Sequence, residues 1–200
     1  MKTADVIIVG SGASGLFNAL FLPQDYKVIV ITKKEVEESD SFLAQGGISA
    51  LKNPEDYDSY FEDTMKAGHY ENDKGAVEKM IKESPQIIQD LKDFGVRFDL
   101  KDGEIEFTRE GGHSTFRILH HEDLTGKEIT SHLYEEAKKR DNITIMENCT
   151  MIDIIEKDGE CKGIVYKDAD GNLDTIEAPD TVLATGGPIL RYNRLPDNWR

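Results

Sequence analysis

The glycines near the start of the chain have the spacing of a phosphate-binding turn. Residues 10–15 read Gly-Ser-Gly-Ala-Ser-Gly, which is a G-x-G-x-x-G pattern. In this pattern Gly10 allows a tight turn, Gly12 lets the backbone approach a diphosphate, and Gly15 lets a helix pack close to a strand. The diphosphate would lie at the helix N-terminus, where free N–H groups and the helix dipole favour negative charge. The pattern predicts a dinucleotide site, and a purely structural glycine-rich turn is the alternative.

The elements that must position this turn are indicated on both sides of it. Apolar, β-branched runs at 4–10 and 27–33 predict two buried strands, and the run at 16–22 predicts the helix between them. A strand–helix–strand unit of about thirty residues forms a right-handed parallel crossover. The second strand ends without the acidic residue that usually accepts from a ribose, so Lys33 is expected to reach a phosphate or to present its backbone.

The last apolar run of the chain also ends in small residues. Residues 180–187 read Asp-Thr-Val-Leu-Ala-Thr-Gly-Gly. In flavoproteins of the two-dinucleotide type, a strand of this kind returns beside the first strand, and its small residues let the backbone pass close to the cofactor. A glycine-rich turn at one end of the chain and this strand at the other favour FAD over NAD.

Helices followed by short strands are predicted between these two ends. The helical stretches are 55–67, a region at 73–94 that breaks at Ser84-Pro85 and stops at Gly95, and a helix from the capping box Thr125-Gly-Lys-Glu128 to about Arg140. A hairpin at 96–108 turns at Asp102-Gly103, and strands are expected at 142–147, 150–157, 160–167, 173–178 and 180–185. This order predicts the α/β class, as a Rossmann-like FAD-binding domain: a parallel sheet with helices and a small antiparallel β-meander flap.

Composition excludes several classes of function. The net charge of −15 disfavours nucleic-acid binding, since phosphate would be repelled over most of the surface. No apolar run is long enough for a membrane span, and the start carries no targeting segment, so a cytoplasmic protein without membrane contact is expected. Cys149 and Cys161 have no C-x-x-C spacing and are expected to be reduced thiols.

Two further motifs carry a family resemblance. Residues 41–48 read Ser-Phe-Leu-Ala-Gln-Gly-Gly-Ile, and residues 108–114 read Thr-Arg-Glu-Gly-Gly-His-Ser, followed by Arg-Ile-Leu-His at 117–120 and Asp-Leu-Thr-Gly at 123–126. With the glycine turn and the last strand, the sequence resembles the L-aspartate oxidases of the succinate dehydrogenase/fumarate reductase flavoprotein superfamily. The A-Q-G-G element is shared across the superfamily, whereas T-R-E-G-G-H-S is more particular to the aspartate oxidases.

The resemblance implies a cofactor, a reaction and a set of site residues. It implies FAD-dependent oxidation of L-aspartate to iminoaspartate, with oxygen or fumarate as acceptor and a functional link to quinolinate synthase in NAD biosynthesis. Glu110 would orient the substrate amine, and Met151 would lie near the adenine. The full set of implied FAD contacts is Gly10, Ser11, Gly12, Ala13, Ser14, Gly15, Lys33, Asp40, Ser41, Phe42, Leu43, Ala44, Gln45, Gly46, Gly47, Met151, Ala184, Thr185, Gly186 and Gly187.

Some features leave alternatives open. No histidine precedes the A-Q-G-G element, so FAD is expected to be non-covalent.

Glu110 could instead form a salt bridge with Arg109 or Arg117. A metal cluster is disfavoured, because adjacent histidines point in different directions and no further ligand has a useful spacing. That cluster would comprise His113, His120, His121, Glu122 and Asp123.

The end of the chain bears on activity. We assign residues 1–187 to the first segment of the FAD-binding domain, with 49–117 as a mainly helical insertion, and residues 188–200 to an atypical C-terminal tail. The family's catalytic arginine and substrate-binding histidines lie further downstream, so we expect a truncated oxidase that is inactive alone. The alternatives are a flavoprotein of the fumarate reductase/succinate dehydrogenase type and a non-catalytic FAD-binding fragment.

Overall fold

Residues 2–187 are described by the computed structural model, and the tail at 188–200 lies outside the described residues. The strands are β1 Lys2–Thr3, β2 Val6–Val9, β3 Val28–Ile31, β4 Ile48–Ser49, β5 Leu100–Lys101, β6 Glu104–Ile105, β7 Phe107–Thr108, β8 Ile118–Leu119, β9 Ile143–Met146, β10 Thr150–Lys157, β11 Glu160–Lys167, β12 Leu173–Glu177 and β13 Asp180–Leu183. The helices are α1 Ala13–Phe21, α2 Asp40–Leu43, α3 Tyr57–Ala67, α4 Lys74–Asp93 and α5 Thr125–Lys138, with short 3-10 turns at Val36–Glu38 and Pro54–Asp56. The predicted α/β class is confirmed.

Four strands form the parallel sheet at the centre of the fold, in the order β13-β2-β3-β9. Every neighbouring pair runs parallel, and the register places Val9 opposite both Leu183 and Ile31. Strands β2 and β3 consist only of valine and isoleucine and are buried along their whole length, as expected for a sheet that is covered on both faces. The prediction that the last strand returns beside the first is confirmed.

Alternate residues of these strands pack against different layers. On β2, Val6 and Ile8 belong to the hydrophobic cluster that includes α1 and α5. Ile7 and Val9 belong to a second cluster, which includes Tyr166 and other flap residues. Because successive side chains of a strand point to opposite faces, one sheet supports the helices on one side and the flap on the other.

The flap is a second sheet in the order β1-β12-β11-β10. Strands β10, β11 and β12 pair antiparallel, whereas β1 pairs parallel with β12. The predicted strands at 150–157 and 160–167 are confirmed, and the turn between them has positive φ at Asp158 (58°) and Gly159 (81°). The predicted β-meander therefore lies on the face of the parallel sheet opposite the helices.

Helix α4 is continuous across Pro85, so the prediction that it breaks at Ser84-Pro85 is wrong. Proline has no N–H, so the Ile81 carbonyl one turn earlier has no amide donor. The Ser84 hydroxyl replaces that donor at 2.7 Å and accepts in turn from the Leu51 amide at 2.8 Å. These contacts let the helix continue until Gly95, whose φ of 91° ends it as predicted.

The capping box predicted at Thr125 and Glu128 is also wrong, although α5 does begin at Thr125. Thr125 is buried, and its hydroxyl accepts from the His121 amide at 3.0 Å. The Glu128 carboxylate accepts from the Arg97 amide, also at 3.0 Å. Both side chains bind other segments of the chain, so neither is available to the first turn of the helix.

Short strands complete the described part of the chain. The predicted hairpin turn is confirmed, because Asp102 and Gly103 join β5 to β6 with φ of 55° and 86°. Strand β8 pairs with both β4 and β7. Within residues 2–187, Cys149 and Cys161 are free thiols, and none of the helices is long and apolar enough to span a bilayer.

Candidate functional site

The predicted phosphate-binding turn connects the end of β2 to the start of α1. Gly10 has a φ of 115°, and a Cβ there would lie 2.3 Å from the Ala184 oxygen on the neighbouring strand. A Cβ on Gly15 would lie 2.0 Å from the Gly10 oxygen. Both positions therefore require glycine, the first for the close approach of β13 and the second for the approach of the helix to the turn.

The N-terminus of α1 presents free amides. Gly12 is the N-cap residue, and no side chain caps the helix. The first carbonyl that accepts an intrahelical bond is that of Gly12, so the amides of Ala13, Ser14 and Gly15 have no acceptor within residues 2–187. The buried hydroxyl of Ser11 also has no partner there. Free amides at the positive end of a helix, beside an unpaired buried hydroxyl, fit a diphosphate.

Other residues expected to contact FAD lie at the same edge of the sheet. The carboxyl ends of β2, β3 and β13 meet at this edge because the three strands are parallel neighbours. Lys33 follows β3, and residues 185–187 follow β13; all of them are exposed, and Gly186 has a φ of 68°. Met151 lies further away, on β10, where it packs against the cluster between sheet and flap.

The segment 40–47 lies beside the turn and the start of α5. A Cβ on Gly12 would lie 2.8 Å from the Ser41 hydroxyl, so the segment approaches the turn closely. On its other side, the Gly126 amide donates to the Ala44 oxygen at 3.0 Å. Residues 43–47 are exposed. The structure thus brings this segment together with the phosphate-binding turn, as the sequence predicts.

Glu110 approaches the same segment from the connection between β7 and β8. Its two carboxylate oxygens lie 3.6 and 3.7 Å from the position that a Cβ would take on Gly46. Within the described residues Glu110 forms no ion pair with Arg109 or Arg117; Arg109 lies over the Phe116 ring instead. Glu110 is exposed, and an unpaired carboxylate in this place suits a cationic group such as an ammonium ion.

A buried ion cluster, here named the Arg117 centre, lies behind Glu110 and consists of Arg117, Asp56, Asp63, Ser59 and His113. Arg117 is fully buried, and its Nε and Nη2 each donate to an Asp56 oxygen at 2.8 Å. Its Nη1 donates to Asp63 at 2.6 Å and lies 3.2 Å from His113 Nδ1. Its Nη2 also donates to the Ser59 hydroxyl at 2.7 Å. No local pattern predicts this cluster, because the acids lie 61 and 54 residues before the arginine in the sequence.

The Arg117 centre shifts the ionisation of its members. Hydrogen bonds from Arg117 hold the pKa of the Asp56 carboxyl well below its ordinary value, although burial opposes them. Burial alone would raise the pKa of Asp63, but hydrogen bonds from Ser114 and Arg117 lower it overall. The same bonds, chiefly those to Asp56, raise the pKa of Arg117. All three groups are therefore charged at neutral pH.

Two further histidines, which directly follow β8, contact carboxylates. His120 Nδ1 lies 3.1 Å and His121 Nδ1 3.4 Å from oxygens of Asp99. His113 belongs to the Arg117 centre and not to this pair. In the part of the chain that the structure describes, no three or more side chains are grouped so that they could hold a metal ion.

Comparison with known proteins shows extended similarity to flavoproteins. Residues 5–195 match the FAD binding domain family. The L-aspartate oxidase of Clostridium perfringens is 42% identical over 93% of this chain, and that of Clostridium acetobutylicum is 43% identical over 92%. The chain spans 42% of the length of each of these relatives.

Solved structures agree with this similarity. A variant of the E. coli quinol fumarate reductase FrdA matches 94% of this chain with a TM-score of 0.87 and 28% identity, and the match covers 33% of that protein. The Mycobacterium smegmatis Sdh1 complex in the apo form matches 93% of the chain with a TM-score of 0.84 and 30% identity, and the match covers 34% of its chain.

These findings confirm the resemblance to L-aspartate oxidases and the prediction of FAD as cofactor. The glycine turn, the free amides at the start of α1 and the small residues after β13 lie at one edge of the sheet and fit such a cofactor. With a match that extends over residues 5–195, the chain belongs to the FAD binding domain family.

Proposed function

We propose that the chain is part of an L-aspartate oxidase-type flavoprotein, which oxidises L-aspartate to iminoaspartate. The observation that supports this function most directly is the exposed Glu110 carboxylate, which lies beside Gly46 and has no ion pair among residues 2–187. FAD, when bound, supplies the acceptor for the two electrons that leave the substrate. The chain's own residues bind the cofactor and orient the substrate.

The proposed cofactor contacts combine the geometry of the glycine turn with the family resemblance. The amides of residues 13–15 and the Ser11 hydroxyl bind the diphosphate, while Lys33 binds a phosphate or presents its backbone. Residues 40–47 and 184–187 contact the cofactor from two sides, and Met151 lies near the adenine. FAD is non-covalent, because the segment at 36–47 contains no histidine that could be linked to the flavin.

Glu110 binds the ammonium group of L-aspartate. A carboxylate and an ammonium ion form a charge-assisted hydrogen bond, which fixes the amine and hence the Cα–H bond relative to the cofactor. Two electrons and two protons leave the substrate, and they reduce oxygen to hydrogen peroxide or fumarate to succinate. Iminoaspartate is then consumed by quinolinate synthase in NAD biosynthesis.

The structural neighbours favour a second candidate, a dicarboxylate oxidoreductase of the fumarate reductase/succinate dehydrogenase type. Its substrates carry two carboxylates but no ammonium group, so they offer no cationic group that the Glu110 carboxylate could bind. A third candidate is a non-catalytic FAD-binding fragment, since this chain spans 42% of its oxidase relatives. We expect the 200-residue chain to bind FAD but to turn over L-aspartate negligibly by itself.

Flavin spectroscopy on the purified chain separates these candidates. The chain should quench FAD fluorescence at a one-to-one ratio, and acid precipitation should release all of the flavin. L-Aspartate and succinate are then added separately. The shift of the flavin absorbance bands that each ligand causes on binding, which requires no turnover, is recorded for the native chain and for Glu110→Gln. A response to aspartate that Glu110→Gln abolishes, with an unchanged response to succinate, supports the oxidase.

Each remaining outcome of this experiment contradicts part of the proposal. A response to succinate alone favours the second candidate, and no response to either ligand favours the fragment. Failure to bind FAD contradicts the function as a whole. Hydrogen peroxide produced from L-aspartate by the isolated chain contradicts its expected inactivity.

A further inference from the structure

We propose that Arg117 is a positioning residue for Glu110. Through its hydrogen bond it fixes His113 as the tautomer that is protonated on Nε2, and it thereby holds the Glu110 loop, residues 109–116, beside the cofactor-binding segment. The role of Glu110 as a substrate ligand rests on the proposed function. The hydrogen bonds that hold the loop do not depend on it.

The Glu110 loop needs an anchor, because its glycines do not hold it. A Cβ on Gly111 or on Gly112 would meet no atom within 4 Å, so no other part of the described chain packs around them. Gly112 also has a φ of 87°, which lies in the region that glycine adopts most readily. The only backbone bond within this part of the loop joins the His113 amide to the Glu110 oxygen at 3.3 Å. The position of Glu110 therefore depends on what holds residues 113–116.

The residues after His113 are fixed by the carboxylates of the Arg117 centre. Asp63 accepts from the Ser114 amide at 2.7 Å and from the Ser114 hydroxyl at 2.8 Å. Asp56 accepts from the Thr115 hydroxyl at 2.6 Å. Arg117 binds both carboxylates and orients them. The loop is therefore held by carboxylates whose negative charge the guanidinium neutralises in part.

The contact between Arg117 and His113 determines where the imidazole carries its proton. A guanidinium has only donors, so His113 Nδ1, at 3.2 Å from Nη1, must accept. The proton of the neutral ring is then on Nε2. That atom lies 3.5 Å from the Ser49 hydroxyl, which can accept the bond. His113 thus links the Arg117 centre to β4.

This link connects Glu110 to the segment that it faces. Ser49 lies on β4, two residues after the end of the A-Q-G-G element, and a Cβ on Gly47 would lie 2.4 Å from the Leu119 oxygen on β8. Strands β4 and β8 are paired, and β8 begins one residue after Arg117. The C-terminal end of the Glu110 loop is therefore held beside the C-terminal end of the cofactor-binding segment. A carboxylate fixed in this way is in place before a substrate binds, which lowers the entropic cost of orienting it.

The tautomer of His113 is measured directly by long-range ¹H–¹⁵N NMR on the full chain labelled with ¹⁵N-histidine. The sequence contains five histidines, and the His113 signals are identified by their loss in His113→Asn. We expect Nε2 to be protonated and Nδ1 unprotonated in the native chain. In Arg117→Met no donor faces Nδ1, and the population of the tautomer that is protonated on Nδ1 should rise. A proton on Nδ1 of the native chain would overturn the proposal.

A matched pair of His113 variants tests the loop itself and avoids any change to the buried arginine. In His113→Leu no acceptor faces Arg117, whereas the amide oxygen of His113→Asn can accept in place of Nδ1. Hydrogen–deuterium exchange of the peptide 109–117 should become about tenfold faster in the leucine variant. The asparagine variant should stay within about twofold of the native rate, because it keeps the hydrogen bond. Equal rates in the two variants, whether fast or slow, would overturn the proposal.

These measurements require neither FAD nor substrate, so they separate this inference from the proposed function. If the tautomer and the exchange rates agree with expectation but Glu110→Gln leaves the aspartate response unchanged, the loop is positioned as proposed and its function is different. If Glu110→Gln abolishes the response but the His113 pair shows no difference, the oxidase function stands and the positioning role of Arg117 is refuted.

Discussion

The close approach of β13 to the glycine turn can be tested by replacing Gly10 with alanine. Gly10 has a φ of 115°, and the new Cβ would lie 2.3 Å from the Ala184 oxygen, which belongs to the backbone and cannot rotate away. Gly103→Ala is the matched control. Gly103 also has a positive φ, 86°, but a Cβ there would meet nothing within 4 Å. The two variants therefore share the conformational strain and differ in the steric contact.

The difference between the two variants can be worked out from these distances. Both should lose about 1–2 kcal/mol for placing a side chain in the left-handed region. In Gly10→Ala the Ala184 oxygen must also move by roughly 1 Å to reach ordinary van der Waals separation, at an overpacking cost of about 1–3 kcal/mol. That movement pulls on the bond from the Ala184 amide to the Val9 oxygen, now 2.8 Å long. Gly10→Ala should thus be about 2 kcal/mol less stable than Gly103→Ala.

Urea unfolding of both variants measures this difference, and titration with FAD measures its effect on the cradle. We expect at least about a tenfold weaker FAD affinity for Gly10→Ala, because the end of β13 moves. Gly103→Ala should bind FAD like the native chain, since its turn lies on the β5–β6 hairpin. Free energies of unfolding within about 0.5 kcal/mol of each other would refute the reasoning, because the 2.3 Å contact would then have no energetic consequence.

Three further predictions concern buried side chains, those of Arg117, Ser84 and Cys149. Arg117→Met should lower the free energy of unfolding at pH 7 by about 3–5 kcal/mol, because two buried carboxylates lose their partner. The folded pKa values of Asp56 and Asp63 are depressed, so the native chain should lose stability in urea as the pH falls below about 4, and Arg117→Met should lose less over the same range. Ser84→Ala removes both hydrogen bonds of that hydroxyl and should lower the free energy of unfolding by about 1–3 kcal/mol; a native value would contradict the account of α4. Burial raises the pKa of the Cys149 thiol, so an aromatic disulfide reagent should label it only after unfolding, and rapid labelling of the folded chain would refute its burial.

Local patterns in the sequence were sufficient for much of the architecture. The buried strands β2 and β3 are pure β-branched runs, and the flap strands at 150–157 and 160–167 are separated by the Asp158-Gly159 turn. Asp102-Gly103 forms the turn that its residue types require, with positive φ at both positions. In each of these cases the residues that determine the conformation lie within the element itself, so the sequence could predict it.

The incorrect predictions involve residues whose partners lie elsewhere in the chain. Ser84 looks like a helix start, but its hydroxyl is used by Ile81 and by the amide of Leu51, a residue outside the helix. Thr125 and Glu128 have capping-box spacing, yet each binds a different loop. Two of these bonds, those from the Leu51 and Arg97 amides, join residues more than thirty positions apart, and local rules cannot predict such bonds.

The difference between local contacts and contacts between distant positions also explains which parts of the candidate site the sequence predicts. The proposed cofactor cradle consists of backbone and small residues in recognisable motifs, which the sequence itself predicts. The Arg117 centre joins residues on either side of α4, and the sequence indicated only the loop to which His113 belongs. The motifs of the proposed cofactor site could be predicted, whereas the partners of Arg117, which lie far away in the sequence, could not.

The pairing of β13 with β2 has a consequence for the order of events during synthesis. The glycine turn leaves the ribosome first, but Ala184, the residue against which it packs, is made only after nearly all of the described chain. Contacts between such distant positions form late, since the long segment between them must first be ordered. A nascent chain without β13 therefore carries the phosphate-binding sequence but only one side of its cradle. Flavin uptake should consequently follow completion of the sheet.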